Sequence, residues 1–215
     1  MKLARGWFGT DLGPYRCDDG TYDHVPAESL PPLPEPLFDG RFAWLAGARD
    51  PRVAYMRPID ARADKALLGA GLPDPFVEFM GRPELSGAVP SCTACWWQWP
   101  ARPVPSPVGA GARLLRFLND QQDCLFWYLY LEPDGGHRVL AGGINYDTWA
   151  EDGIDETDAA GDLVEVAPDF ERFVYRFWVE NLAWFEVVGQ ERDWDDLSPP
   201  VQDYLAHYRA AAVGS

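Results

Sequence analysis

The longest uninterrupted apolar run in the chain is CLFWYLYL, Cys124 to Leu131, and its lack of alternation predicts a central strand covered on both faces. EPDGG follows it, and the Asp134-Gly135 pair signals a tight turn into the returning strand HRVLAGG, so a β-hairpin is expected here. Helical spacing is clearest in PDFERFVYRFWVENLAWFEVV, where Phe170, Phe173, Val174, Phe177, Trp178, Asn181, Trp184 and Phe185 share a wide stripe behind Asp169. Such a stripe predicts a largely buried helix lying across a sheet. In LPDPFVEFMGRPEL, Asp74 is expected to cap, Pro75 suits the first turn, and Phe76, Phe79 and Met80 fall on one face. A helix is also predicted in IDARADKALLGAG, from Asp60 to the Gly69/Gly71 pair, and another in SPPVQDYLAHYRAAA, capped by Ser198, started by Pro199 and apolar at Val201, Tyr204, Leu205 and Tyr208.

The remaining stretches follow other patterns. SLPPLPEPLFDG is too rich in proline for a helix, and the aromatic residues Trp7, Phe8, Tyr15, Phe42 and Trp44 around it predict an N-terminal arm of loops and short strands that wraps the domain. CWWQW, bounded by Ser91 and Pro100, predicts an extended core strand. DTWAEDGIDETDAAGD, residues 147 to 162, is carboxylate-rich with only Trp149 and Ile154 as large apolar residues, and reads as a solvent-exposed loop. Helices early and late with strands between them predict a single α+β domain over residues 1–215, with an antiparallel, possibly mixed, sheet that contains a hairpin and is covered by helices.

Charge alters the functional picture more than composition does. The 34 Asp and Glu against 18 Lys and Arg leave a formal net charge of −16, which repels nucleic acid and anionic lipid and favours encounter with a basic partner. No apolar run is long enough to span a bilayer and MKLARGWFGTDLG lacks the apolar core of a signal peptide, so a cytoplasmic protein is expected. Four cysteines in 215 residues are too sparse for a disulfide scaffold.

Chemical motifs are few. Phosphate-loop, dinucleotide, H-E-x-x-H and G-x-S-x-G signatures are absent, and no catalytic residue is assigned. Cys92-x-x-Cys95 has the spacing of half a zinc site, but Cys17, Cys124, His24, His137 and His207 offer no second chelating pair. A redox CxxC would need a helix to follow, whereas WWQW follows; the two thiols are read as small buried groups opening a tryptophan-rich strand. Asp155, Glu156, Asp158 and Asp162 share only composition with a calcium loop, so neither metal nor cofactor is assigned. The acidic segments are instead candidate surfaces for a basic protein, with Asp147, Trp149, Glu151, Asp152, Asp155, Glu156 and Asp158 in one and Asp193, Trp194, Asp195 and Asp196 in the other, each tryptophan an aromatic anchor within a carboxylate rim.

LLGAGLPDPFVEFMG, a tryptophan strand, CLFWYLYLEPDGGHRVLAG and PDFERFVYRFWVENLAWF, in that order, resemble the SUKH superfamily of SMI1/KNR4-like proteins. Leu68-Gly69, Leu72-Pro73, Phe76, Phe79 and Gly81 match its head, Leu129 to Val139 its hairpin, and Phe170 with Phe173 its final helix. The segments SCTACW, VPSPV and Phe117 to Leu131 are similar to actinobacterial members. The resemblance covers about residues 60–186, leaving 1–59 as an extension packed on the core and 187–215 as an acidic turn with a C-terminal helix. It implies a non-enzymatic, protein-binding α+β domain, mostly of the immunity type that neutralises bacterial toxins, and supplies no catalytic residues. A small-ligand protein or a biosynthetic or modification enzyme with a pocket under the N-terminal arm is the alternative, and an adaptor using SLPPLPEP is a third.

Overall fold

Along the chain the elements are β1 (Ala4–Gly9), β2 (Asp23–Pro26), α1 (Asp74–Met80), α2 (Pro83–Ser86), β3 (Trp96–Trp97), β4 (Val104–Pro105), β5 (Arg113–Asn119), β6 (Phe126–Leu131), β7 (His137–Gly142), α3 (Glu156–Asp162), β8 (Val164–Ala167), α4 (Phe170–Trp184) and α5 (Pro199–Val213). The computed structural model describes residues 3–47, 49–59, 71–98 and 102–213, with 211–213 as backbone only. The helix expected from Asp60, with Leu68-Gly69, lies outside the described residues, as do Trp99 and Pro100.

The strands form one eight-stranded open sheet in the order β2-β1-β8-β7-β6-β5-β3, with β4 also on β5. All pairs are antiparallel except β1 with β8, which makes the sheet mixed and the fold α+β. β6 explains its own apolar run. Trp127, Leu129 and Leu131 belong to the core under α4, while Phe126, Tyr128 and Tyr130 belong to a second core under α3. Both faces are therefore buried, and alternation has no reason to appear. The hairpin to β7 closes at Glu132, whose N–H donates to Gly136 O at 2.8 Å, with Gly135 at φ 92°.

Helix α4 is buried on two sides. Phe170, Phe173, Val174 and Phe177 pack on the sheet, and Tyr175, Val179 and Ala183 pack with Val201, Tyr204 and Leu205 of α5. Asp169 caps it, accepting the N–H of Arg172 at 2.9 Å. Two expected caps are absent. Pro73 stands at the cap position of α1 with Asp74 already in the first turn, because a proline locked in extended geometry breaks the helix there. Ser198 Oγ has no partner among the described residues; its N–H donates instead to Glu186 Oε2 at 2.8 Å.

The N-terminal residues enter the sheet rather than only wrapping it. β1 pairs with β8 at Ala4 and Arg5 and with β2 from Gly6 to Gly9. Gly6 is needed for close approach, since a Cβ there would strike the His24 ring and the Val25 carbonyl. Two carboxylates of α4 fasten this segment. Glu171 accepts N–H bonds from Gly40 (2.7 Å), Phe42 (3.3 Å) and Trp44 Nε1 (3.0 Å), holding Phe42 in a left-handed conformation. Glu180 accepts from Trp7 Nε1 and from both Arg16 Nη atoms, each at 2.8 Å, and from Tyr204 OH at 2.5 Å. Burial alone would raise the Glu180 pKa, but the Arg16 guanidinium outweighs it and holds the carboxylate below its usual range.

CWWQW is a correction. Among the described residues it yields the two-residue edge strand β3, whose side chains point to opposite faces, so Trp97 is buried in the core while Trp96 is 45% exposed. Residues 147 to 162 are a second correction. They contain α3, capped by Asp155 (Thr157 N–H at 2.8 Å), and its Ala159 and Ala160 are buried against Tyr128 and Tyr146. An amphipathic stripe of two alanines in seven residues is too weak to show as periodicity.

Candidate functional site: an acidic rim and a polar cleft

The two acidic segments do not form one surface. The segment around α3 sits on the Tyr128 face of the sheet, whereas Asp193 to Asp196 lie beyond α4, beside α5. Several of the candidate residues are occupied internally. Asp147 pairs with Arg116 at 2.6 Å, Asp152 accepts from Thr148 Oγ1 at 2.8 Å, and Asp155 is the α3 cap. Trp149 is partly buried, its ring 6.4 Å from that of Tyr146, and Trp194 packs 6.0 Å from Tyr15 beneath the Arg209 guanidinium at 4.3 Å. Neither indole is a free anchor. Glu151, Glu156 and Asp158 are exposed, and among the described residues none of them makes an ion pair.

A second site was not visible as a pattern. Thr10 and Asp11 after β1, Gly20 and Thr21 before β2, Cys92 to Ala94, Asp120 to Gln122 after β5, and Trp184 at the end of α4 surround a cleft of about 430 Å³. Cys92 to Ala94, from the segment Ser91 to Trp96, and Asp120 to Gln122, from the segment Phe117 to Leu131, meet here. Three non-glycine residues at positive φ border it: Tyr22 (128°), Ala94 (56°) and Asp123 (55°). Such conformations cost roughly 1–3 kcal/mol each and persist only where surrounding contacts hold them.

Those contacts can be followed proton by proton. Tyr22 has one hydroxyl proton and gives it to Asp120 Oδ1 at 2.8 Å, since an ionised carboxylate only accepts. Thr93, 2.6 Å from that hydroxyl, must then donate to it. The other Asp120 oxygen accepts the Gln122 N–H (2.8 Å) and the Cys124 thiol (3.1 Å). Asp120 is 2% exposed and is the end point of the network.

The thiols around it are held protonated. Burial pushes Cys92 up to about 12 and raises Cys95 as well. Cys124 is pushed up to about 11 by desolvation, reinforced by its hydrogen bond to Asp120. Thiols in this state are poor nucleophiles and poor metal ligands. Among the described residues no group of three or more His, Cys, Asp or Glu side chains is placed to hold a metal ion. Iodoacetamide should therefore label Cys124 roughly a hundredfold more slowly than a free thiol at pH 8.5, with the rate still climbing toward pH 11. Mass-spectrometric labelling curves check this, and a rate that levels off near pH 8.5 would contradict the geometry.

Sequence reasoning missed Thr10, Asp11, Tyr22, Thr93, Asp120 and Trp184. The one available signal was an aspartate directly ending the apolar strand RFLN and followed four residues later by cysteine. Among the described residues no helix is long and apolar enough to cross a membrane. Comparison of the chain with protein-family models, with curated proteins and with solved structures gives no match in any of the three.

Proposed function

We propose that the protein is a non-enzymatic, SMI1/KNR4-like binding protein of the immunity type, acting in the cytoplasm by docking a basic toxin against the rim formed by Glu151, Glu156 and Asp158. The observation that supports this reading is how the carboxylates divide. Several carboxylates are consumed by arginines, as in Glu180 with Arg16, Glu186 with Arg192 and Glu165 with Arg5 and Arg138. On the α3 side Glu151, Glu156 and Asp158 face water with no ion pair among the described residues, so their charge is available to an approaching cation. The resemblance carried by Leu72-Pro73, Phe76, Phe79 and the hairpin agrees with the same class of activity.

Surface charge of this kind acts on the association rate more than on the final contacts. Against a basic toxin domain that the native protein binds, the triple variant Glu151→Lys, Glu156→Lys, Asp158→Lys should associate about 10- to 100-fold more slowly in surface plasmon resonance, with little change in dissociation. Raising salt from about 50 to 500 mM should slow the native protein in the same direction. Absence of binding, or a rate indifferent to both salt and charge reversal, would remove this reading.

A further inference from the structure

Among the buried carboxylates, Asp120 stands apart. Glu180 and Glu186 face arginines at 2.8 and 3.3 Å, and Glu171 takes three N–H donors in the first turn of α4. Asp120, equally buried, is in no ion pair among the described residues, and it is the member of this group that lines a cleft. Tyr22, Gln122 and Cys124 supply dipoles, not charge. A desolvated carboxylate served by dipoles alone still favours a positive charge on its open side.

The rest of the cleft agrees. Asp11 is a second carboxylate in the lining, with a single side-chain hydrogen bond among the described residues, from Gly13 N–H to Oδ1 at 2.9 Å. Among the described residues no Lys, Arg or His lines the space, which disfavours phosphates and carboxylates as occupants. Trp184 offers an indole, the strongest aromatic partner for a cation, and Thr10, Thr21 and Thr93 offer hydroxyl acceptors. A space of about 430 Å³ falls within the usual range for small-ligand sites.

We propose that this cleft binds an organic cation, an ammonium or guanidinium group seated between Asp11 and Asp120 with Trp184 beside it. The group has two possible sources, a free amine or the Arg or Lys side chain of a bound protein. The site is separate from the α3 rim and stands whether or not the rim binds a toxin.

The test titrates the full chain with agmatine, with spermidine, with a short peptide bearing one central arginine, and with glucose as an uncharged control, following tryptophan fluorescence and amide NMR shifts. Cationic probes should shift the amides of Thr93 and Gln122, and glucose should not. Asp11→Asn, a partly exposed position outside the Tyr22–Asp120 network, should weaken the cation about tenfold while leaving thermal unfolding unchanged. Binding of the amines identifies a free ligand, and binding of the peptide alone identifies a partner's side chain; either supports the proposal. It is overturned if no cationic probe binds, if glucose binds as tightly, or if Asp11→Asn leaves affinity unchanged.

Discussion

Replacing Glu180 with leucine should destabilise the protein by about 3–5 kcal/mol, a large share of the stability of an ordinary domain. Four donors converge on this carboxylate from β1, from the loop after it and from α5, so its loss strands the Arg16 guanidinium in a site where burial already works against charge. Asp18, 3.1 Å from Arg16, offsets only part of this. In a chain of this size the change corresponds to a melting-temperature drop of about 10 °C, read by circular dichroism. The double variant Glu180→Leu, Arg16→Met should recover much of it, because removing both charges leaves neither unpaired. A double variant no more stable than Glu180→Leu would show that packing, not charge, is responsible. Acid should act on the native protein through the same group. Its folded pKa is depressed, so its contribution is present above the unfolded value of about 4.3 and is lost as pH falls through the folded one. Glu180→Leu should flatten the stability profile in that window.

Phe170→Ala should cost about 3–5 kcal/mol by a different route. The ring is fully buried and lies 4.9 Å from Phe76, 5.2 Å from Phe117, 5.4 Å from Phe79 and 6.2 Å from Phe42. One side chain thus joins α1, α4, β5 and the N-terminal loop, and truncation leaves a cavity walled by rigid rings that collapse poorly. Phe170→Leu, which keeps most of the volume, should cost about 1.5 kcal/mol or less. Urea denaturation separates the two through the midpoint at constant slope. Equal midpoints for Phe170→Ala and native protein would mean that the aromatic cluster does not hold these elements together.

Both predictions bear on function, because the elements they fasten also build the two candidate sites. The Glu180 network ties down β1, whose end supplies Thr10 and Asp11 to the cleft. Tyr22, Ala94 and Asp123 stay in unfavourable backbone conformations only while that frame is intact.

The sequence alone determined the elements whose burial is uniform or strongly periodic. The apolar run Cys124 to Leu131 predicted a doubly covered strand, which forms at Phe126–Leu131 with Cys124 exposed in the turn before it; Asp134-Gly135 had to turn, and the α4 stripe was too wide to face solvent. Cys92 and Cys95 were expected as small buried thiols; Cys95 is buried and Cys92 only partly so. Tertiary structure decided whatever depends on partners distant along the chain. β1 joins the main sheet because β8, some 160 residues later, offers it an edge at Ala4 and Arg5, and α3 is a helix because two alanines find Tyr128 and Tyr146. It also placed the acidic segments on opposite sides of the molecule and turned both proposed indole anchors inward. The cleft belongs wholly to this second group. Five segments contribute one to three residues each, none patterned by itself, and only their meeting leaves Asp120 buried beside open space without a cation, since burial and counter-charge are properties of neighbours in space.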